Sequence, residues 1–262
     1  VRRFLVLAAM AGAAWACGCG PTRAAGDRAA GDRAAFDAAF AAFQAGQWQR
    51  AADGFTQYLR SSPRAATRAE VYYYRGQALV HLRRRDDARI DFMRAIGGGA
   101  EQPVRNYARV ALGNLYYEEG NDAKAIEWYA LAIGEPAADL PMDMLALRLA
   151  VSLQRLGRWP AAERYLRYVL DNFPDSAAAA EARRRSGAGA FAVQTGAYAT
   201  AAAAQQEAAR LRAAGFEPRI VQTGRNGQAL SGVRVGRAAT YAEAQTLAQR
   251  LLSAGFSALV VP

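Results

Sequence analysis

Between residues 36 and 183 apolar positions recur at helical i, i+4 spacing, and the whole pattern returns every 37 residues. Small residues stand at Ala51, Ala88, Ala125 and Ala162, and upstream at Ala39, Gly76, Gly113 and Ala150. Large ones stand beside them at Phe55, Phe92, Tyr129 and Leu166, then at Leu59, Ile96, Ile133 and Leu170. A further set runs Ala42, Leu79, Tyr116 and Leu153. Small residues let two helices approach, and the large ones fill the seam between them. Turns are predicted at 44–48, 118–122 and 155–159, with Gly46, Gly120 and Gly157 as helix stops and Pro160 in the first turn of the next helix. The pattern predicts about four helix–turn–helix units.

Beyond residue 190 the period changes to 40. LRAAGFEPRIV (211–221) is echoed by LLSAGFSALVV (251–261), and Val193, Gly196 and Thr200 are echoed by Val233, Gly236 and Thr240. Each half reads as an alternating strand, a helix and a second strand, which predicts a βαββαβ order. Thr240 with Glu243 forms a capping box, and Thr200 caps the earlier helix. Gly215 and Gly255 fit the left-handed residue after each helix, so that Phe216 and Phe256 pack on Leu211 and Leu251. Period-two alternation turns Phe191, Val193, Val233 and Val235 toward the helices, and Ala192, Gln194, Gly232 and Arg234 away from them.

Composition narrows the partners. The chain of 262 residues is 52% hydrophobic and carries a net charge of +10, with 32 Arg to a single Lys. Residues 186–262 hold seven Arg, three Glu and no Asp or Lys, a surface suited to an anionic partner. The start, VRRFLVLAAMAGAAWACGCG, has two Arg, an apolar run and small residues, the pattern of a secretory signal. Both cysteines, Cys17 and Cys19, stand at its end, which excludes a structural disulfide within the folded domains. Residues 20–35 write AAGDR twice and are expected to be a flexible tether.

Enzyme chemistry finds little to work with. The single histidine, His81, is expected on the surface and cannot supply a zinc amidase site. No G-x-S-x-G, phosphate loop or nucleophilic Cys is present. The order βαββαβ also suits an RNA reader, but Ala192, Gln194, Gly232 and Arg234 stand where stacking aromatics would be needed, so nucleic acid is not an expected partner. The run RRRDDARIDF (83–92) reads as a solvated turn. No metal or cofactor is expected.

Three resemblances follow from these residues. LGNLYYEEGNDAKAIEWYALAI (112–133) resembles a tetratricopeptide repeat, with a first copy at FDAAFAAFQAGQWQRAADGFTQYL that is degenerate in its first helix. Such a stack leaves a concave face for a partner protein or peptide, to which Tyr72, Tyr73, Arg75, Arg109 and Asn114 would point. VQTGAY (193–198), VRVG (233–236) and TYAEAQTLAQRLLSAGF resemble the SPOR (sporulation-related repeat) domain. That resemblance implies binding to peptidoglycan strands whose stem peptides have been removed, with Gln194, Tyr198, Arg234 and Arg237 on the binding face and Gly196 and Gly236 holding turns. The family often has an aromatic and an Arg where this chain has Ser231 and Gly232. Ala16-Cys17-Gly18-Cys19 resembles a bacterial lipoprotein signal, which implies lipidation of Cys19, or of Cys17, and an outer-membrane anchor on the periplasmic side; the alternative is a cut after Ala14-Trp15-Ala16 that releases a soluble periplasmic protein.

The expected organisation is a signal at 1–19, a tether at 20–35, an all-α repeat solenoid at 36–183, a linker at 184–189 and an α+β domain at 190–262. The expected function is a non-enzymatic envelope adaptor enriched at the division septum. The alternative is an outer-membrane assembly or Tol-like lipoprotein whose repeats carry the main activity, the wall domain serving as a tether.

Overall fold

A computed structural model describes residues 23–61, 65–98, 101–137, 139–225 and 228–262. The signal sequence with Cys17 and Cys19 lies outside the described residues. Among those described, no helix is long and apolar enough to cross a membrane.

The helices pair as the 37-residue period predicts: α1 (Arg23–Gln44) with α2 (Trp48–Ser61), α3 (Ala65–His81) with α4 (Arg85–Gly97), α5 (Val104–Glu118) with α6 (Asp122–Gly134), and α7 (Met142–Arg155) with α8 (Trp159–Asn172). A short α9 (Ala177–Arg185) covers the end of the stack, and its buried face is Ala178, Ala179 and Ala182. Ala51, Ala88, Ala125, Ala162, Phe55, Phe92, Tyr129 and Leu166 are all fully buried. Each of the large side chains contributes about 1.5–3 kcal/mol by leaving water. The small partners are sterically required. A Cβ on Gly76 would stand 2.6 Å from the Phe92 ring, and one on Gly113 would stand 2.5 Å from Tyr129.

The expected tether differs. Residues 23–35 form the first part of α1, because their alanines have the highest helix propensity and Arg33 pairs with Asp37 one turn on.

Three repeat turns close on a left-handed glycine: Gly46 (φ 70°), Gly120 (φ 74°) and Gly157 (φ 75°). In the remaining turn the same position is Arg83, with φ 62° and the same pattern of closing bonds, Arg83 N–H to Val80 O and Arg84 N–H to Leu79 O. An L side chain there is strained. Arg83→Gly is expected to stabilise the array by ~0.5–1 kcal/mol. Thermal unfolding would read this as a rise of about 1–3 °C. An unchanged or lower midpoint would contradict it. The rest of the 83–92 run is not merely solvated: Arg85 pairs with Glu118 and Arg89 with Glu119, tying one repeat turn to the next. His81 is exposed and stacks on Trp48, ring centres 3.8 Å apart.

The C-terminal domain follows as β1 (Phe191–Tyr198), α10 (Ala201–Ala213), β2 (Pro218–Arg225), β3 (Gln228–Ala238), α11 (Tyr241–Ser253) and β4 (Leu259–Val261). The sheet is antiparallel throughout, in the order β2-β3-β1-β4, with both helices packed on it around Val193, Val233, Val235, Leu211 and Leu251. Thr200 and Thr240 cap their helices by accepting from Ala203 N–H and Glu243 N–H. Glu243 in turn accepts from Ala239 N–H. Gly215 and Gly255 are left-handed (φ 83° and 82°), and Phe216 and Phe256 donate back to Leu211 and Leu251. The two Phe rings meet edge to face at 6.0 Å. Arg250 lies over Phe216 and Arg210 over Phe256, so the two halves exchange equivalent contacts about a pseudo-two-fold axis.

The last repeat turn docks onto this domain. The Trp159 indole N–H donates to Ala239 O at 2.9 Å, and its ring meets Phe191 at 4.8 Å. Phe191 meets Tyr241, over which Arg155 lies at 5.4 Å. A Cβ at Gly157 would come within 3.1 Å of Ala239 O, so the close approach needs glycine here twice over, for space and for its φ.

Candidate functional site

The face of the sheet away from α10 and α11 is built by register. Gln194 pairs with Arg234 on one side and Leu259 on the other, while Arg234 pairs with Arg219. One row therefore crosses all four strands as Leu259, Gln194, Arg234 and Arg219. Arg234 Nε donates to Gln194 Oε1 at 3.2 Å. Gly232 makes room for this arrangement: a Cβ there would stand 3.2 Å from both Gln194 Oε1 and Thr223. Val221 and Thr223 line the same floor.

The electrostatics favour an incoming anion. Among the described residues neither Arg219 nor Arg234 has a carboxylate partner. Burial, with the neighbouring Arg219 guanidinium, lowers the Arg234 pKa from its ordinary value. An anion bridging the two guanidiniums would relieve that repulsion. Arg219 is exposed, and Leu259 is 62% exposed. The repeat array touches the domain at Phe191, Ala239 and Tyr241, which lie off this row.

Several expected site residues lie elsewhere. Tyr198 is not on the open face; it packs against the helix-side core, over Gly196, where a Cβ would meet its hydroxyl at 2.5 Å. The cause is an irregularity in β1: Gln194 pairs with Arg234 but Gly196 pairs with Val233, so one extra residue, Thr195, reverses the alternation. Gly196 and Gly236 consequently lie inside strands, at irregularities of β1 and β3, rather than in turns. Ala192 is buried beside Val261 rather than open. Arg237 is exposed past the β3 irregularity, its guanidinium near Gly189 and outside the Gln194 row.

In the repeats, the residues expected to point into a free groove hold the array together. Arg75 grips buried Asp91 through Nε and Nη2 at 2.6 and 2.7 Å. Arg109 binds Glu135, Asn106 and Leu131 O. Asn114 accepts from Tyr129 and Arg148. Tyr72 lies among Arg68, Arg75 and Arg94, and Tyr73 meets Phe92 and Tyr107. Sequence reasoning missed Arg219. Alternation along PRIVQTG places Arg219, Val221 and Thr223 on one face, which is the signal that could have found it.

Comparison with known families gives the class of each part. Residues 187–262 match the SPOR domain, and residues 145–176 match a tetratricopeptide repeat. The chain thus carries a SPOR domain behind tetratricopeptide-type repeats; the first is a peptidoglycan-binding family and the second a protein-interaction repeat, so both matched parts are binding modules. Similar solved structures include MamA AMB-1, at 19% identity over 60% of this chain and 79% of that one with a TM-score of 0.49. MamA MSR-1 is similar at 21% identity over 59% and 82%, with a TM-score of 0.46. No curated protein matches the chain.

Proposed function

We propose that this protein is a non-enzymatic cell-envelope adaptor whose SPOR domain binds peptidoglycan strands stripped of stem peptides, while its repeats recruit a protein partner at the division site. One observation carries the reading: two guanidiniums, without a carboxylate partner among the described residues, and a carboxamide stand in line on the sheet face away from α10 and α11. A stripped muramic acid residue exposes a lactoyl carboxylate, which guanidinium can grip with two parallel hydrogen bonds. Sugar hydroxyls suit the Gln194 amide, and Leu259 offers an apolar flank to the sugar C–H face. Lipid anchoring through Cys19 or Cys17 would hold the protein at the outer membrane within reach of the wall.

The test is pulldown of the full chain on amidase-treated and untreated sacculi. Treated sacculi are expected to retain more protein. The Arg234 charge pair contributes roughly 0.5–1 kcal/mol and the Gln194 hydrogen bond about as much, so Gln194→Ala with Arg234→Ala should weaken retention about tenfold. Equal retention of variant and wild type would overturn the assignment of this face.

A further inference from the structure

Beside the sheet row, at the edge where β2 begins, lies a cavity of about 400 Å³ lined by Phe216, Arg219, Gly236, Arg237, Leu247 and Arg250, with Glu217 at its rim. β2 starts opposite Val235, so no strand covers Gly236 and Arg237 on that side. The left-handed Gly236 brings β3 so near α11 that a Cβ would meet Leu247 at 2.3 Å. Three exposed Arg and one carboxylate line it, the Arg237 guanidinium reaching toward Gly189, and among the described residues none of the three Arg is ion-paired. Arg250 lies over the Phe216 ring at 5.9 Å.

The duplicated half supplies an internal control. Forty residues away, the equivalent positions carry Leu259 for Arg219, Ala197 for Arg237 and Glu207 for Leu247, and Gly196 is not left-handed as Gly236 is. There Glu207 is buried and takes Arg210, the equivalent of Arg250, in an ion pair at 2.9 Å. Tyr198 covers Gly196, the equivalent of Gly236. The first half thus closes and neutralises its corner, while the second leaves its corner open and basic.

We propose that this edge cavity is a second subsite, taking the carboxylate of an acidic sugar, with Phe216 and Leu247 as an apolar floor and Arg219 shared with the sheet row. As an extension of the glycan-binding site it rests on the function proposed above. A strand lying across the sheet would pass Arg219 and place a further acidic sugar here.

The experiment is titration of the ¹⁵N-labelled full chain with N-acetylmuramic acid, N-acetylglucosamine and inorganic phosphate, reading the Arg Nε–H and Gln amide signals. The acidic sugar is expected to move the signals of Arg237 and Arg250, and the neutral sugar to leave them still. Arg237→Gln with Arg250→Gln should weaken binding, read in the variants at the Gly236 and Leu247 backbone amides, at least fivefold, while Arg234→Gln leaves it unchanged. If only Gln194 and Arg234 respond, the subsite is overturned and the sheet reading stands. If only Arg237 and Arg250 respond, the subsite stands and the sheet reading falls. Phosphate moving Arg237 and Arg250 at lower concentration than the sugar overturns the carboxylate assignment.

Discussion

Asp91→Ala is expected to destabilise the repeat array by ~3–5 kcal/mol, because it leaves a charge without its partner in a nearly closed seam. Asp91 has a side-chain exposure of 2% and Arg75 of 16%. The third Arg75 nitrogen, Nη1, donates to Thr56 at 3.0 Å, and Arg68 and Arg94 crowd the same Tyr72 ring. Once the carboxylate is gone, three cations crowd one ring and the Arg75 guanidinium has lost its ion partner. Replacing both partners tells a different story. At the equivalent positions the third repeat carries Leu112 with Trp128, and the fourth carries Leu149 with Tyr165. Arg75→Leu with Asp91→Leu is therefore expected to recover the stability to within ~1 kcal/mol of wild type. Urea unfolding midpoints at unchanged slope would read both effects. A single-variant cost below ~1 kcal/mol would show the pair to be a bystander.

Trp159→Ala should split the unfolding of the chain in two. The indole links repeats to SPOR domain through one hydrogen bond and one ring contact, and its neighbours Phe191, Ala238 and Ala244 form a small separate core. Losing the bond and the ring together costs about 2–3 kcal/mol at this junction. Domains joined by so small an interface unfold together only while that interface holds. The wild type is expected to melt in one calorimetric transition and the variant in two, with the sheet domain's transition displaced from that of the helices. A single transition in both proteins would mean that the junction at Gly157 and Ala239 suffices without the indole.

The fold was legible because its two periods are each enforced by sterics. Gly76 and Gly113 face rings that tolerate no Cβ, and Gly215 and Gly255 occupy left-handed helix ends. Such positions leave a mark in composition. The Arg83 turn was harder to place, since the residue that marks the other three turns is missing there while the backbone is the same. The site was legible only in part. Gln194 and Arg234 follow from alternation, but Thr195 inserts one residue into β1 and sends Tyr198 to the other side. Alternation along β2 also marks Arg219, but its place in the row follows from its register with Arg234. The groove residues have internal partners that sequence alone does not show. An Arg or Asn on a helix-facing surface looks identical in sequence whether it awaits a ligand or is held by Asp91, Glu135 or Tyr129.

A cradle whose halves are related by a two-fold would accept a polymer and the same polymer turned end for end equally well. Here Gln194 is the twin of Arg234, and Leu259 the twin of Arg219, so one half of the row is neutral and the other cationic. A sugar chain has distinguishable reducing and non-reducing ends, and on the proposed site it would settle in a single sense. The 40-residue repeat outlines a symmetric saddle; two unlike pairs of positions would give it a compass.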